Sequence, residues 1–409
     1  MSDSVRFINE YDTYEEAEQA AEREARAIMC PTVPAVLYRQ ANRYMLSASL
    51  PMTLLANQVR LDHVKKGEDP TNKRNRPLML DHVKVISEYL QKEPNYILPP
   101  VTLNIGTELR CFTTRTETPA RSAIVLLPPG LQFYVTDGQH RIAAIRDALE
   151  KRQNLQKDAI SVNLVIEQDI DQIHQDFADC AQTKPIPSSL LAAFNSRNPL
   201  SPLLKRVNEE VPFFRGRIDK TSQSIGKTSI QLFTLNQLRF CVAELLLGNS
   251  IQTADQLGKS VAERLNLENG KAYEEAVIDF YKTFAHYNQA WKGVSEQSGR
   301  PGDVKVDIPE HREKFVDMTA TGLQVISRVG YHILKVSSEA RETYIQKLAE
   351  LDYKRTAPIW QGNIIEDEKL RTNNPAVKKA TAAVKQAIGL EVPAEDTECD
   401  QVSLDLLAS

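Results

Sequence analysis

The sequence predicts an α/β module followed by an all-α domain. Between residues 30 and 200, short β-type runs alternate with helical runs, whereas beyond that point the apolar positions follow only the helical period. At 409 residues the chain is also too long for one ordinary core. We predict an N-terminal helix in 1–29, the α/β module in 30–200, the helical domain in 201–390 and a disordered acidic tail in 391–409.

Local signals place the elements of the first half. Thr13 and Glu16 form a capping-box pattern ahead of an Ala/Glu-rich helix. Elsewhere, alternating or β-branched runs predict strands, and apolar residues recurring every three or four positions predict helices. The predicted order is helix 13–28, strands 35–38 and 44–48, helix 78–91, strand 97–105 with 121–127 as its hairpin partner, strand 131–135, helix 141–152, strand 160–166 and helix 168–181.

The second half predicts helices only, separated by loops. Gly248 is a natural stop for the second of them, and Thr253 with Gln256 makes a capping-box start for the third. A Gly/Ser/Pro-rich stretch at 293–307 predicts a long loop. The predicted helices are 203–211, 232–247, 253–265, 272–290, 315–336, 338–351 and 374–390.

Charge is distributed unevenly along the chain. The formal net charge of −4 argues against a uniformly basic nucleic-acid binder. Residues 391–409, however, contain six acids and no Lys or Arg, so removing these six negative charges leaves +2 on the rest of the chain. A basic face on the folded body is therefore compatible with the composition.

Cysteine use and hydropathy predict a cytoplasmic protein. The five cysteines are odd in number, and no two have the CxxC spacing of a zinc or redox site. The N-terminus lacks the basic and apolar regions of a secretory signal, and no run of about 18 apolar residues could span a bilayer. We therefore expect neither a membrane partner nor a metal site formed by the protein.

The stretch 131–142 is the strongest candidate for a binding site. A β-type run stops at Thr136, Asp137-Gly138 turns the chain, and Gln139, His140 and Arg141 open a helix. A strand, a tight turn and a helix N-terminus commonly hold a phosphate or another anion. Core packing alone does not explain so many polar residues in a row.

Two residues of this stretch have alternative roles. Asp137 is predicted to cap the helix through its carboxylate, and it could also bind ribose hydroxyls, orient Arg141 or hold Mg²⁺. His140 could act as a general base, donate to a phosphate or bind a metal, although no further ligands accompany it at a suitable spacing.

Three basic segments are candidates for contacts with nucleic-acid phosphates. The first is the run 60–76, with Lys73, Arg74 and Arg76, and the second and third are the runs 215–227 and 369–385. Solvated surface loops are the simpler interpretation of the first two. The candidate bases of the second run are Arg215, Arg217, Lys220 and Lys227.

The triplet Gly226-Lys227-Thr228 is not part of a P-loop. Such a loop requires a Gly at position 221, where this chain has Thr221, and an apolar strand ahead of it, where this chain is basic. The stretch 131–142 therefore remains the single credible nucleotide site in the sequence.

The run 136–144 resembles the signature of the DGQHR-domain family, with a literal match from Asp137 to Arg141. The segment around Gln182-Thr-Lys184 is similar to a second family motif, with Gln where relatives often have Asn. The run 360–365, followed by an Ala/Lys-rich helix from Asn374, resembles the end of the DndB group within that family.

This resemblance implies a ParB-like nucleotide-binding module with a small mixed sheet, fused to a helical domain. Lys184 would lie on a second wall of the nucleotide site, and Arg76 would be a further contact. The implied cofactor is ATP, with Mg²⁺ as an option. The residues that would line the site are Asp137, Gly138, Gln139, His140 and Arg141.

The same resemblance implies a DNA-binding repressor of a DNA phosphorothioate-modification operon, modulated by ATP binding or hydrolysis. Its partner would be double-stranded DNA at the promoter of its own operon, with other DNA-modification proteins as further candidates. Slow ATP hydrolysis would use Asp137, Gln139 and His140 as catalytic residues, Gln139 orienting the attacking water. Helical repressors commonly bind as symmetric dimers, so we expect a homo-oligomer.

Two enzymatic alternatives remain at this point. The protein could be an NTPase that drives or licenses DNA modification of the sulfur or deazaguanine type. It could also be a ParB-like nuclease, which would require clustered carboxylates on a metal that the sequence does not present.

Overall fold

The computed structural model of the chain describes residues 8–41, 43–63, 77–107, 109–181, 186–195, 198–248, 254–267, 269–297 and 303–390. The chain divides into two compact units, residues 1–184 and 185–409, and each is described by itself. The first unit contains a mixed nine-stranded sheet with helices, and the second is mainly helical. The predicted α/β plus all-α class is confirmed.

The first unit alternates strands and helices in an irregular order. A 3₁₀ helix at Gln153–Lys157 joins the fourth helix to the last strand. The strands are β1 Ile8–Tyr11, β2 Thr32–Gln40, β3 Arg43–Pro51, β4 Val59–Arg60, β5 Val101–Ile105, β6 Cys111–Thr114, β7 Ala120–Leu126, β8 Phe133–Asp137 and β9 Ala159–Ile166. The helices are α1 Tyr14–Ile28, α2 Met52–Gln58, α3 Leu80–Lys92, α4 Gln139–Lys151 and α5 Ile170–Ala181.

The sheet has the strand order β1-β6-β7-β2-β3-β9-β5-β8-β4. Strand β5 lies between β9, to which it is parallel, and β8, to which it is antiparallel. The predicted hairpin between 97–105 and 121–127 is therefore wrong, because β7 pairs with β6 and β2 instead. The true partner β6 has only four residues, too few to give a periodic signal.

Helices cover both faces of this sheet. Ile124 and Leu126 of β7 pack in a cluster with α1, whereas the alternate residues Ala123 and Val125 point into a larger core. Helix α1 begins with the predicted capping box, in which the Glu16 N–H donates to Thr13 Oγ1 at 3.2 Å. Its buried residues are all alanines, and such small side chains let the helix lie close to the sheet.

Helices α3 and α4 pack side by side. Leu90 of α3 is fully buried, and the buried Ser87 hydroxyl donates to the carboxylate of Asp147 on α4. Leu80 was expected on the apolar face of this helix, but it is 73% exposed. The prediction is wrong there because Leu80 is the first residue of α3, beyond the region that α4 covers.

The second unit is built from ten described helices and two small two-stranded sheets. The helices are α6 Ser188–Phe194, α7 Ser201–Glu210, α8 Leu235–Leu247, α9 Ala254–Leu265, α10 Gly270–Tyr287, α11 Gln289–Glu296, α12 Ile308–Lys314, α13 Ala320–Ile333, α14 Ser338–Ala349 and α15 Asn374–Ala387. The short strands are β10 Ile218–Asp219, β11 Phe233–Thr234, β12 Ile365–Glu366 and β13 Lys369–Leu370.

Most predicted helices of this unit are confirmed, but two boundaries are wrong. The predicted helix 272–290 breaks because Asn288 caps a new helix, accepting the Trp291 N–H at 2.9 Å. The predicted helix 315–336 begins only after Thr319, whose hydroxyl accepts the Gly322 N–H. Gly248 ends α8 as expected, with a φ of +75°, while Thr253 lies outside the described residues.

An aromatic cluster forms the centre of the second unit. Trp291 is fully buried and stacks on Phe213 with ring centroids 3.7 Å apart, while Phe214 and Phe284 meet the same indole ring edge-on. These residues come from α10, α11 and the turn after α7, so burying them joins distant segments. Within the described part of the chain, no helix is both long and apolar enough to cross a membrane.

Candidate functional site

A pocket of about 380 Å³ lies in the first unit, where β8 ends and α4 begins. One side is polar and consists of residues 136–141. The other side is largely apolar, with contributions from α3, from the segment before β5 and from α5. The residues of this second side are His82, Ile86, Tyr89, Leu98, Pro99 and Phe177.

A β-bulge shapes the polar side. Asp137 pairs with Thr102 of β5, whereas the next pair is Val135 with Leu103, so Thr136 is an extra residue in β8. The strand therefore runs two residues beyond the predicted end at 135. Bulges re-aim the chain and are common beside functional sites.

Gly138 makes the corner between strand and helix. Its φ is +104°, a region that side-chain-bearing residues rarely adopt. A Cβ added there would lie 2.6 Å from Val101 Cγ1 and 3.0 Å from the Arg141 Nε atom. Only glycine fits this position, and the open corner leaves the N–H groups of the first turn of α4 without partners inside the helix.

Asp137 holds Arg141 one helical turn further on. Arg141 Nη2 donates to Asp137 Oδ2 at 2.7 Å. The prediction that Asp137 caps α4 is wrong: the cap residue is Gly138, which has no side chain to accept a hydrogen bond from the first turn. The reason is that Asp137 still belongs to β8, one residue too early to reach the first turn.

The guanidinium of Arg141 is not fully used by this ion pair. Its Nε atom is buried and has no hydrogen-bond partner among the described residues. A buried donor without a partner is costly unless a ligand supplies an acceptor. Because Arg141 also lines the pocket, its guanidinium can bind an anion beside Asp137.

Gln139 and His140 contact the backbone that leads into α3. Gln139 Nε2 donates to the Pro77 carbonyl at 3.4 Å, and His140 Nε2 accepts the Met79 N–H at 3.1 Å. Both side chains are only 5% exposed. A ring nitrogen that accepts a hydrogen bond carries no proton, so this contact requires the neutral form of His140. The two residues thus fix the start of α3 against α4.

The oxygen of the Gln139 side-chain amide also lacks a partner among the described residues. Gln139 Oε1 is buried and accepts no hydrogen bond from any described residue. Together with Arg141 Nε, this gives the polar side one spare acceptor and one spare donor. Both are the kind of group that a polar ligand satisfies.

Helix α5 closes the pocket through Phe177. Arg43 of β3 holds this helix by a bidentate contact with Asp176, at 2.8 and 2.7 Å. Burial tends to raise the pKa of Asp176, but the hydrogen bonds from Arg43 and Gln172 outweigh it and keep the pKa below its usual value. Burial raises the pKa of the Cys180 thiol, and the negative charge of Asp137 adds to this effect. Asp137 affects the pKa of Cys180 because α5 lies close to the polar side of the pocket.

The predicted residues of the second wall and of the first basic segment are not placed. Lys184 and Arg76, expected at the nucleotide, lie outside the described residues, as do Lys73 and Arg74. Their roles stay predictions. Sequence reasoning missed Tyr89, Leu98 and Phe177, because no local pattern distinguishes an apolar pocket wall from ordinary core.

The second basic segment, 215–227, is an ordered loop of the other unit. Arg217 donates to the carbonyls of Pro212, Arg215 and Gln297 at 3.0 to 3.2 Å, and burial lowers its pKa. Arg215 donates to the Glu209 carbonyl at 2.7 Å. The bases with exposed side chains at the loop surface also include Lys220 and Lys227.

The described residues offer little support for a metal site. No group of three or more His, Cys, Asp or Glu side chains within the described ranges is arranged to hold a metal ion. The Asp137 carboxylate, which could hold Mg²⁺ according to the sequence, is engaged with Arg141.

The fold and the pocket are those of a two-unit protein with a candidate ligand-binding pocket in its α/β unit. An α/β unit with a mixed nine-stranded sheet carries a pocket that combines a helix N-terminus with an apolar wall, and a helical unit follows it in the chain. A family model for DndB, described as DNA-sulfur modification-associated, matches residues 33–391. The chain therefore belongs to the DndB family, which associates it with DNA phosphorothioate modification. No curated protein and no solved structure matches the chain significantly.

Proposed function

We propose that this protein is a DNA-binding regulator, acting as a repressor of its own DNA phosphorothioate-modification operon, and that ATP bound in the pocket modulates DNA binding. Family membership supports the link to DNA-sulfur modification. The pocket at the β8–α4 corner supports the nucleotide. The ParB-like relationship of the first unit and a cytoplasmic location are part of the same proposal.

The observation that carries the nucleotide proposal is the combination of two dissimilar walls. A helix N-terminus and a guanidinium with a spare donor suit phosphates, because both present N–H groups to negative charge. Tyr89 and Phe177 on the facing wall suit an aromatic base. A ligand with both parts, such as a nucleoside phosphate, matches this pocket better than a simple anion does.

The roles of the motif residues follow from their contacts. The backbone of Gln139 to Arg141 and the Arg141 side chain would hold phosphates, while Asp137 keeps that guanidinium in place. Gly138 keeps the corner open. ATP, when bound, would supply the negative charge that Arg141 accepts. Because Asp137 is engaged with Arg141, any Mg²⁺ would be held mainly by the phosphates.

ATP binding by the purified full chain tests this proposal. We expect wild type to bind ATP in calorimetry and Arg141→Ala to bind at least about tenfold more weakly, since a charge-assisted contact contributes roughly 1.5–3 kcal/mol. Lys151→Ala is the matched control, because it removes a base from the far end of the same helix. Equal affinity in the Arg141 and Lys151 variants would refute the proposed site.

Measuring ATP turnover with the same preparation distinguishes a regulator from an NTPase. Gln139 and His140, predicted as catalytic, contact the Pro77–Met79 backbone, which favours a positioning role for both. We therefore expect ATP to bind with turnover too slow to sustain a cycle. Rapid ATP hydrolysis that Gln139→Ala abolishes would instead support the enzymatic alternative.

A further inference from the structure

Helix α15, the last described helix, has one face fixed to the second unit. Val377, Ala380, Thr381 and Val384 are buried, and the helix packs against α13. Its first turn is capped by Asn373, whose side chain accepts the Ala376 N–H at 2.9 Å. The helix is therefore held rigidly, and the direction of its opposite face is set.

The opposite face of α15 is basic and contains no acid. Lys378 and Lys379 are exposed, and the exposed Ala382 lies beside them about one turn further along. No Asp or Glu occurs anywhere between Asn374 and Ala387. Within the described part of the chain, neither Lys378 nor Lys379 forms an ion pair with a carboxylate.

Other charged helices of the unit show the ordinary arrangement. Arg206 on α7, for example, pairs with Glu210, Glu274 and Glu275 at 2.7 to 3.1 Å. Exposed helix faces usually mix both signs in this way, since neighbouring opposite charges stabilise the helix. Lys378 and Lys379 gain no such stabilisation from the described residues, which favours an external anionic partner.

The basic loop 215–227 is a weaker candidate for the same partner. Arg217 and Arg215 donate to backbone carbonyls of their own unit, which leaves mainly the two lysines for external contacts. Helix α15 offers its charges from a rigid surface. The small side chain of Ala382 beside the two lysines would also let the helix approach a partner closely.

We propose that the lysine face of α15, formed by Lys378 and Lys379, contacts the phosphate backbone of duplex DNA. This inference rests on the proposed DNA-binding function and assigns a surface to it. Lysines bind phosphates as point charges and carry little sequence information. The face therefore contributes affinity, and other residues provide operator specificity.

The test compares Lys378→Ala/Lys379→Ala with wild type in a fluorescence anisotropy titration of the full chain against its own promoter duplex at several salt concentrations. Each lost phosphate contact reduces the magnitude of the negative slope of log K against log salt by about 0.9, so this magnitude should fall by about 1.8. At about 0.1 M salt this corresponds to a loss of affinity on the order of tens-fold.

Lys271→Ala/Lys292→Ala is the matched control. It removes the same charge from two exposed lysines on α10 and α11, helices that also carry acids. We expect its salt slope to equal that of wild type. Thermal unfolding should show both double variants folded, because alanine is favourable in exposed helix positions.

The outcomes separate this inference from the function on which it rests. If wild type binds the duplex and the α15 variant has the same affinity and slope, the assignment of the surface is wrong and the DNA-binding function stands. If both double variants lose slope equally, net charge rather than α15 is responsible, and the assignment is again overturned. If wild type binds no duplex at all, the proposed function itself fails.

Discussion

The β8–α4 corner and the loop 215–227 share residue types but differ in how their arginines are hydrogen-bonded. Both combine glycine, basic and hydroxyl or amide residues, and both therefore predict phosphate contacts. At the corner, Arg141 retains a buried donor without a partner in the described residues. In the loop, Arg217 donates hydrogen bonds to three carbonyls of its own unit. Residue type therefore identifies a candidate phosphate-binding residue. Whether its side chain is available to a ligand depends on the hydrogen bonds that it already makes within the protein.

The largest difference between the two regions should appear at their glycines. Gly138→Ala places a Cβ 2.6 Å from Val101 in a left-handed backbone, so we expect about 3 kcal/mol of destabilisation. Gly216→Ala in the loop has a φ of +71° but no described atom within 4 Å, so strain alone should cost about 1 kcal/mol. Urea denaturation measures both. Equal losses would contradict the close packing of the corner.

The anchoring role of His140 gives the next largest effect. His140→Ala removes a buried ring and the acceptor for the Met79 N–H, which should cost about 2 kcal/mol. Hydrogen exchange of the Met79 amide should accelerate specifically. His82→Ala is the control, because His82 touches the His140 ring only at its edge and is itself exposed. Unchanged exchange at Met79 would show that His140 does not hold α3.

Arg217 should affect stability and leave the DNA salt slope unchanged. Arg217→Ala leaves three carbonyls without their donor, and we expect a loss of about 1–2 kcal/mol in the free energy of unfolding. Lys220→Ala, on the exposed surface of the same loop, should change stability by less than about 0.5 kcal/mol. A smaller salt dependence of DNA binding in the Arg217 variant would instead support the phosphate contact that the sequence predicted for Arg217.

The smallest effect concerns the acid dependence of the loop. Hydrogen bonds from Ser222 and Thr221 lower the pKa of Asp219 to about 2, below the value of about 3.9 in an unfolded chain. The ionised form therefore stabilises the folded state above about pH 4, and this contribution is lost as the pH falls through about 2. The stability difference between wild type and Asp219→Asn should shrink over that window. A difference independent of pH would exclude this origin.

Sequence reasoning predicted those features of the fold that local signals encode. The capping box at Thr13, the stop at Gly248 and the β-turn-helix order around Asp137 all depend on neighbouring residues, and the structure contains each of them. The partner of β7 was predicted wrongly, because strand pairing is set by contacts distant in sequence.

The site was predictable only on its polar side. The run from Asp137 to Arg141 is contiguous and stands out as a motif, whereas Tyr89 and Phe177 reach the pocket from separate helices and look like ordinary core residues. Orienting Arg141 was among the roles that the sequence left open for Asp137, but the predicted helix cap was wrong. A bulge at Thr136 keeps it in the strand, and no local pattern announces a bulge.

The central claim is that ATP in the corner pocket changes DNA binding, and one measurement tests it directly. The affinity of wild type and of Arg141→Ala for the promoter duplex should be determined at a fixed salt concentration with and without saturating ATP. Coupling between two sites typically changes affinity 5- to 150-fold, and DNA must change ATP affinity by the same factor. We predict an ATP-dependent change within about that range in wild type and none in Arg141→Ala. Identical DNA affinities of wild type with and without ATP would contradict the account.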